Sequence, residues 1–150
     1  MKRMGKAFLL ITLLAALALT GCGSKSYADG TYTAQSMVYE GIEDEEFGEE
    51  GDGYGVVTIT IRDNVITECE FTTYMTDGTV KDSEYGKQNG EIANQDYYNK
   101  AQRAVRASQN YAEQLAAKGD LDGVDVISGA TISYDEFVEA VQLALKDAEN

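Results

Sequence analysis

The 150-residue chain contains no histidine at all. That removes a histidine general base, a Ser-His-Asp triad, histidine-ligated haem and the common histidine-containing zinc sites. Basic residues are also scarce, twelve Lys and Arg against 26 Asp and Glu, for a formal charge of −14. A chain of that sign has no footprint for nucleic acid. There are two cysteines and no internal repeat. Intrinsic catalysis has little to work with: a Ser or Thr without an adjacent base stays protonated and weakly nucleophilic at neutral pH.

The N-terminus holds the longest apolar run. Lys2, Arg3 and Lys6 form a basic region ahead of the apolar stretch from Ala7 to Leu19, and Leu19-Thr20-Gly21-Cys22 follows as a small-residue cleavage site. The stretch is short for a spanning helix. The sequence Leu19-Thr20-Gly21-Cys22 resembles the lipobox of bacterial lipoproteins. That resemblance implies a signal peptide over 1–21, lipidation of Cys22 as the mature N-terminus, a lipid-anchored tether over 22–28 and a location on the extracytoplasmic face of a bacterial cell membrane. The tether from Cys22 to Asp29 spans at most roughly 25 Å, which holds the domain close to the bilayer. Loss of the three signal basics leaves nine basic residues against 26 acidic ones, a formal −17. Cys69 is then the only thiol, so no internal disulfide forms, and alternation with Val65, Thr67 and Phe71 places it in the core rather than in redox chemistry.

The remainder, 29–148, is long enough for one domain. Thr31 to Ser36 reads as a strand after Asp29-Gly30. The segment 40–53 concentrates glutamate, aspartate and glycine and reads as a solvated acidic loop; it lacks the spacing of a calcium loop, and no metal is assigned. Tyr54 to Arg62 alternates Val57, Ile59 and Ile61 against Thr58 and Thr60 as a half-buried strand. Asp63-Asn64 turns the chain into Val65 to Met75, and Asp77-Gly78 predicts a second hairpin toward Thr79 and Val80. Lys81 to Gly90 is polar loop. Asn94 is placed as the N-cap of a helix over Gln95 to Lys118 that stops at Gly119, and a second amphipathic helix runs from Asp135 to Ala148. Strands first and helices after predict an α+β fold, an antiparallel sheet packed by two main helices.

Between those helices lies Asp125-Val126-Ile127-Ser128-Gly129-Ala130-Thr131. Small residues at Gly129 and Ala130 present the Thr131 hydroxyl in a turn before the C-terminal helix, where Ser133 and Glu136 match the capping-box spacing. A helix N-terminus favours phosphate through its unpaired amides and dipole. The stretch resembles the D-x-x-[ST]-G-A-[ST] acceptor sequence of the FMN-binding domain family, which includes the flavin-bearing subunits of Rnf and sodium-pumping NADH:quinone reductase complexes and lipoproteins of extracellular electron transfer. Asp125, Ser128, Gly129, Ala130 and Thr131 match it position by position. The resemblance implies a covalent FMN, joined through its phosphate to Thr131 by a separate flavin transferase that uses FAD and magnesium.

The protein is then expected to be an electron carrier rather than an enzyme. A membrane reductase or quinol would be its donor, and a small molecule or protein its acceptor. Tyr85, Tyr97, Tyr98 and Tyr134, in loops or at helix starts, are candidates for stacking on the isoalloxazine. Isolated lysines such as Lys81, Lys87 and Lys100 read as solvated. The alternatives are a lipoprotein that binds a small molecule without covalent flavin, and a structural or signalling lipoprotein.

Overall fold

The computed structural model describes residues 25–40, 42–44, 48–50 and 52–150. The signal segment and Cys22 lie outside the described residues. Three strands, β1 (Gly30–Gln35), β4 (Tyr54–Arg62) and β5 (Val65–Tyr74), form an antiparallel sheet in the order β1-β4-β5. Two short strands, β2 (Ile42–Asp44) and β3 (Gly48–Glu50), pair with each other within the acidic segment that was expected as loop. The pairing of β1 with β4 continues past β1 through a bridge from Tyr39 to Gly53, so the acidic hairpin extends from the end of the sheet. Helices α1 (Gln95–Lys118) and α2 (Thr131–Ala148) lie on one face, α1 over β5 and α2 over β4 and β1. This is the α+β arrangement expected from the order of elements.

Alternation decides which face is covered. Val57, Ile59 and Ile61 of β4 are almost wholly buried, and they meet Tyr111 and Leu115 of α1 with Phe137, Ala140, Val141 and Ala144 of α2 in one core. The opposite parity carries threonines, with Thr33 and Thr58 hydroxyls 2.9 Å apart across the uncovered face. Asp63 and Asn64 adopt φ of 51° and 66°, as a two-residue hairpin with the sheet's twist requires. A register shift between Thr60 and Ile61 changes the expected parity of β5: Ile66 faces the core, whereas Val65 and Thr67 face outward. The extra residue of the bulge flips the side chains before it, and alternation returns at Cys69 and Phe71. Cys69 packs partly buried against the core, and burial pushes its thiol up to about 12.

The Asp77-Gly78 turn forms, but the expected hairpin shrinks to a single bridge between Tyr74 and Val80. Helix α1 has the expected ends. The Asn94 side chain accepts from the amides of Asp96 and Tyr97, and Gly119 closes the helix at φ 74°. Helix α2 begins earlier than Asp135. Gly129 turns the chain at φ 77°, Ala130 occupies the N-cap position and Thr131 is the first helical residue. The capping box is therefore not formed: Ser133 and Glu136 lie inside the helix and are buried. Among the described residues no helix is long and apolar enough to cross a membrane.

Candidate functional site

A cavity of about 350 Å³ opens between the N-terminal half of α1, the start of α2 and the segment joining β5 to α1. Tyr97, Lys100, Ala101 and Ala104 recur at three- and four-residue spacing, so α1 presents them on one wall together with Arg103. The joining segment contributes Lys81 and Tyr85, and α2 contributes Gly129 to Ser133 and Glu136. The Gln102 side chain fastens the joining segment to α1 by donating to the carbonyls of Asp82 and Tyr85 at 2.8 and 2.9 Å.

The turn before α2 is held from the core side. The Tyr111 hydroxyl accepts from the Ile127 amide at 3.0 Å and donates to the Ala130 carbonyl at 3.2 Å, while the Ala130 amide closes onto the Ile127 carbonyl at 3.1 Å. Asp125 is set by Gln114, whose side-chain oxygen accepts from its amide at 2.8 Å. Asp125, Ser128, Gly129 and Thr131 remain exposed. The first helical hydrogen bond of α2 runs from the Tyr134 amide to the Ala130 carbonyl, so the amides of Thr131, Ile132 and Ser133 precede the ladder. No side chain caps this end and no acidic residue stands in its first turn. The positive end of the helix dipole is thus directed at the position of the Thr131 hydroxyl.

Arg103 lies directly beside this turn. A Cβ placed on Gly129 would sit 3.0 Å from the guanidinium, so glycine here serves both the positive φ and the close approach of Arg103. Arg103 adds positive charge beside the Thr131 turn, and Lys100 also lines the cavity. At the inner end lie two buried groups of opposite sign. Lys81 is 8% exposed, and burial pulls its pKa down against the attraction of Glu136 and Asp52. Its ammonium lies over the Tyr85 ring, 5.4 Å from the centroid. Gly53 makes room for it, since a Cβ there would be 2.8 Å from the amine nitrogen. Glu136 is 1% exposed, its Oε1 has no hydrogen-bond partner, and burial pushes its pKa up to about 7 despite Lys81.

Of the four tyrosines expected at the site, Tyr85 and Tyr97 line the cavity. Tyr134 does not: its ring packs edge-on against Tyr111 at 5.3 Å, as part of the core's margin. Tyr98 turns to the joining segment and donates to the Ser83 carbonyl at 3.2 Å. Lys81, expected as solvated, is buried instead. Arg103 and Glu136 were not anticipated. A charged residue at 136 on the helical face of Ser133, Phe137 and Ala140 was a readable signal for the second.

The matching family model describes an FMN-binding domain and covers residues 48–146. The chain belongs to the FMN-binding domain family. No curated protein matches it. A crystal structure of a Clostridium perfringens protein is similar in fold, with a TM-score of 0.54 and 21% identity over 81% of this chain and 88% of that one. A solution structure from Clostridium thermocellum aligns with a TM-score of 0.41 and 26% identity over 81% and 92% of the two chains. As an FMN-binding domain, the chain has a cavity within the roughly 300–1,000 Å³ range of small-molecule sites. Its residues fit the cofactor: cations and an uncapped helix start for the phosphate, and two tyrosines in the lining for a flat ring.

Proposed function

We propose that this FMN-binding domain is a membrane-anchored extracytoplasmic electron carrier, with FMN esterified through its phosphate to Thr131 by a separate flavin transferase. The observation that carries the reading is the position of Thr131. It is exposed at the first turn of α2, on the rim of the cavity and beside Arg103, where a transferase can reach the hydroxyl and a joined phosphate meets amides and guanidinium. Gly129 has no side chain of its own, and Ala130 is buried, so neither adds bulk around the hydroxyl. With no histidine in the chain, Thr131 has no imidazole to activate its hydroxyl, which suits a residue that receives a group under another enzyme's control. FMN bound there would supply one- and two-electron transfer, while the protein sets its position and electrostatic surroundings.

The likeness of Leu19-Thr20-Gly21-Cys22 to a lipobox supports a lipid anchor at Cys22, which would hold this chemistry at a membrane surface. A membrane reductase or quinol is the proposed donor, and a nearby protein or small molecule the acceptor. The test is flavin fluorescence retained by the denatured chain after co-production with an FAD- and magnesium-dependent flavin transferase. Thr131→Ser should keep the fluorescence and Thr131→Ala should lose it; fluorescence that persists in Thr131→Ala contradicts the assignment.

A further inference from the structure

Glu136 lines the cavity but has no part in flavin attachment. It stands in the second turn of α2 and is 1% exposed with an unpartnered Oε1. Its Cβ is pressed toward β4, where a Cβ on Gly55 would lie 3.3 Å away, and the Phe71 ring of β5 fills the same space even more tightly. A permanently ionised carboxylate in such a place costs several kcal/mol unless its oxygens are paired. Among the described residues no ion pair joins it to Lys81, the nearest source of compensation.

We propose that Glu136 is a proton-exchanging carboxyl of the flavin cavity, taking up one proton when an electron enters the site and releasing it when the electron leaves. This rests on FMN being held at Thr131. A one-electron donor, a reduced membrane carrier or dithionite in the test, adds negative charge to the cavity. The Glu136 carboxylate then binds one proton from solvent at Oε1 and becomes a neutral carboxylic acid. Oxidation by the acceptor reverses both steps. The carboxyl is poised for this, because burial already places its titration close to neutrality in the absence of any electron.

The surrounding charges set the direction. Lys81, from the segment between β5 and α1, favours the carboxylate and is itself attracted to Asp52, ahead of β4. From α1, Lys100 and Arg103 line the same cavity. Tyr39, after β1, lies near enough to feel Glu139, Asp135 and Glu136 of α2, and stays protonated because burial and those carboxylates raise its pKa. Added negative charge opposes the cations, so proton affinity at Glu136 should rise by about tenfold or more on reduction.

The experiment uses the full chain co-produced with a flavin transferase and first checked for a flavin-sized mass. Midpoint potential is measured against pH for the native chain and Glu136→Gln, together with infrared difference spectra of reduction. The native chain should show a protonated-carboxyl stretch appearing on reduction near neutral pH and a bend in its potential profile. Glu136→Gln should lose both, with a raised potential at alkaline pH and a native one at acid pH. Side-chain ¹³C NMR of the native chain follows Glu136 without substitution, and its titration should move to higher pH on reduction. An unchanged potential profile and band in Glu136→Gln, or a ¹³C titration unmoved by reduction, overturns the proton role alone. Absence of the flavin mass overturns the attachment reading and the coupling with it.

Discussion

The Tyr111 hydroxyl donates to the Ala130 carbonyl from inside the core and so fixes the residue that precedes Thr131. The same oxygen accepts the Ile127 amide, which makes one α1 side chain the inner clamp of the whole turn. Tyr111 is fully buried, so Tyr111→Phe keeps the packing and removes both bonds. It should cost about 1–3 kcal/mol, because a buried amide and carbonyl lose their partner. Urea denaturation measures that loss, and flavin transfer to Thr131 should slow in parallel.

Gly129 and Arg103 form the outer side of that turn. Gly129→Ala introduces a Cβ at φ 77° and 3.0 Å from the Arg103 guanidinium, and should destabilise the chain by about 1–2 kcal/mol. Arg103 is exposed. Arg103→Gln should therefore leave stability within about 0.5 kcal/mol while lowering the rate of flavin transfer roughly tenfold, through a lost charge-assisted contact to phosphate. Thermal melts and a timed transfer assay separate the two effects.

Glu136 makes stability depend on pH. Its folded pKa is raised from 4.5 to about 7, first by burial and against the pull of Lys81. The folded state therefore binds the proton more tightly than the unfolded chain. That contribution is fully present below about 4.5 and is lost as pH rises through about 7. Glu136→Gln should remove this dependence. Relative to the native chain it should gain stability between those pH values and level off above them, by about 3 kcal/mol. Denaturation at a series of pH values checks the sign.

Much of the scaffold was legible because local signals agreed with tertiary demand. Asn94 and Gly119 mark the ends of α1, and the Val57-Ile59-Ile61 alternation marks the buried face of β4. The bulge near Ile66 was not legible, since an inserted residue changes the pairing without changing composition. The Ser133–Glu136 spacing misled for a related reason: the same residues suit a cap or a buried second turn, and Gly129 with Ala130 decided between them by starting α2 early. Lys81 was unreadable as a buried cation, because its burial depends on Gly53, 28 positions away in the chain. Thr131 stood out because its neighbours carry a compact pattern, whereas Arg103 reaches it only through the packing of α1 against the turn.

Anchoring has its own consequence. Cys22 lies outside the described residues, and the described domain begins within a few residues of it. Cys22→Ala should leave the apolar run in place but abolish lipid attachment. In intact cells, metabolic labelling with a fatty acid should mark the native chain and not the variant, and detergent-phase partitioning should fall accordingly. Equal labelling would place the lipid elsewhere.

Thr131 as the covalent acceptor is most directly tested by peptide mass after co-production with a flavin transferase. Trypsin cutting after Lys118 and Lys146 isolates residues 119–146, with Thr131 among them. The native peptide should be heavier by FMN less one water, fragmentation should leave that mass on Thr131, and the Thr131→Ala peptide should carry none. An unmodified native peptide, or the same added mass on the Thr131→Ala peptide, would contradict the account.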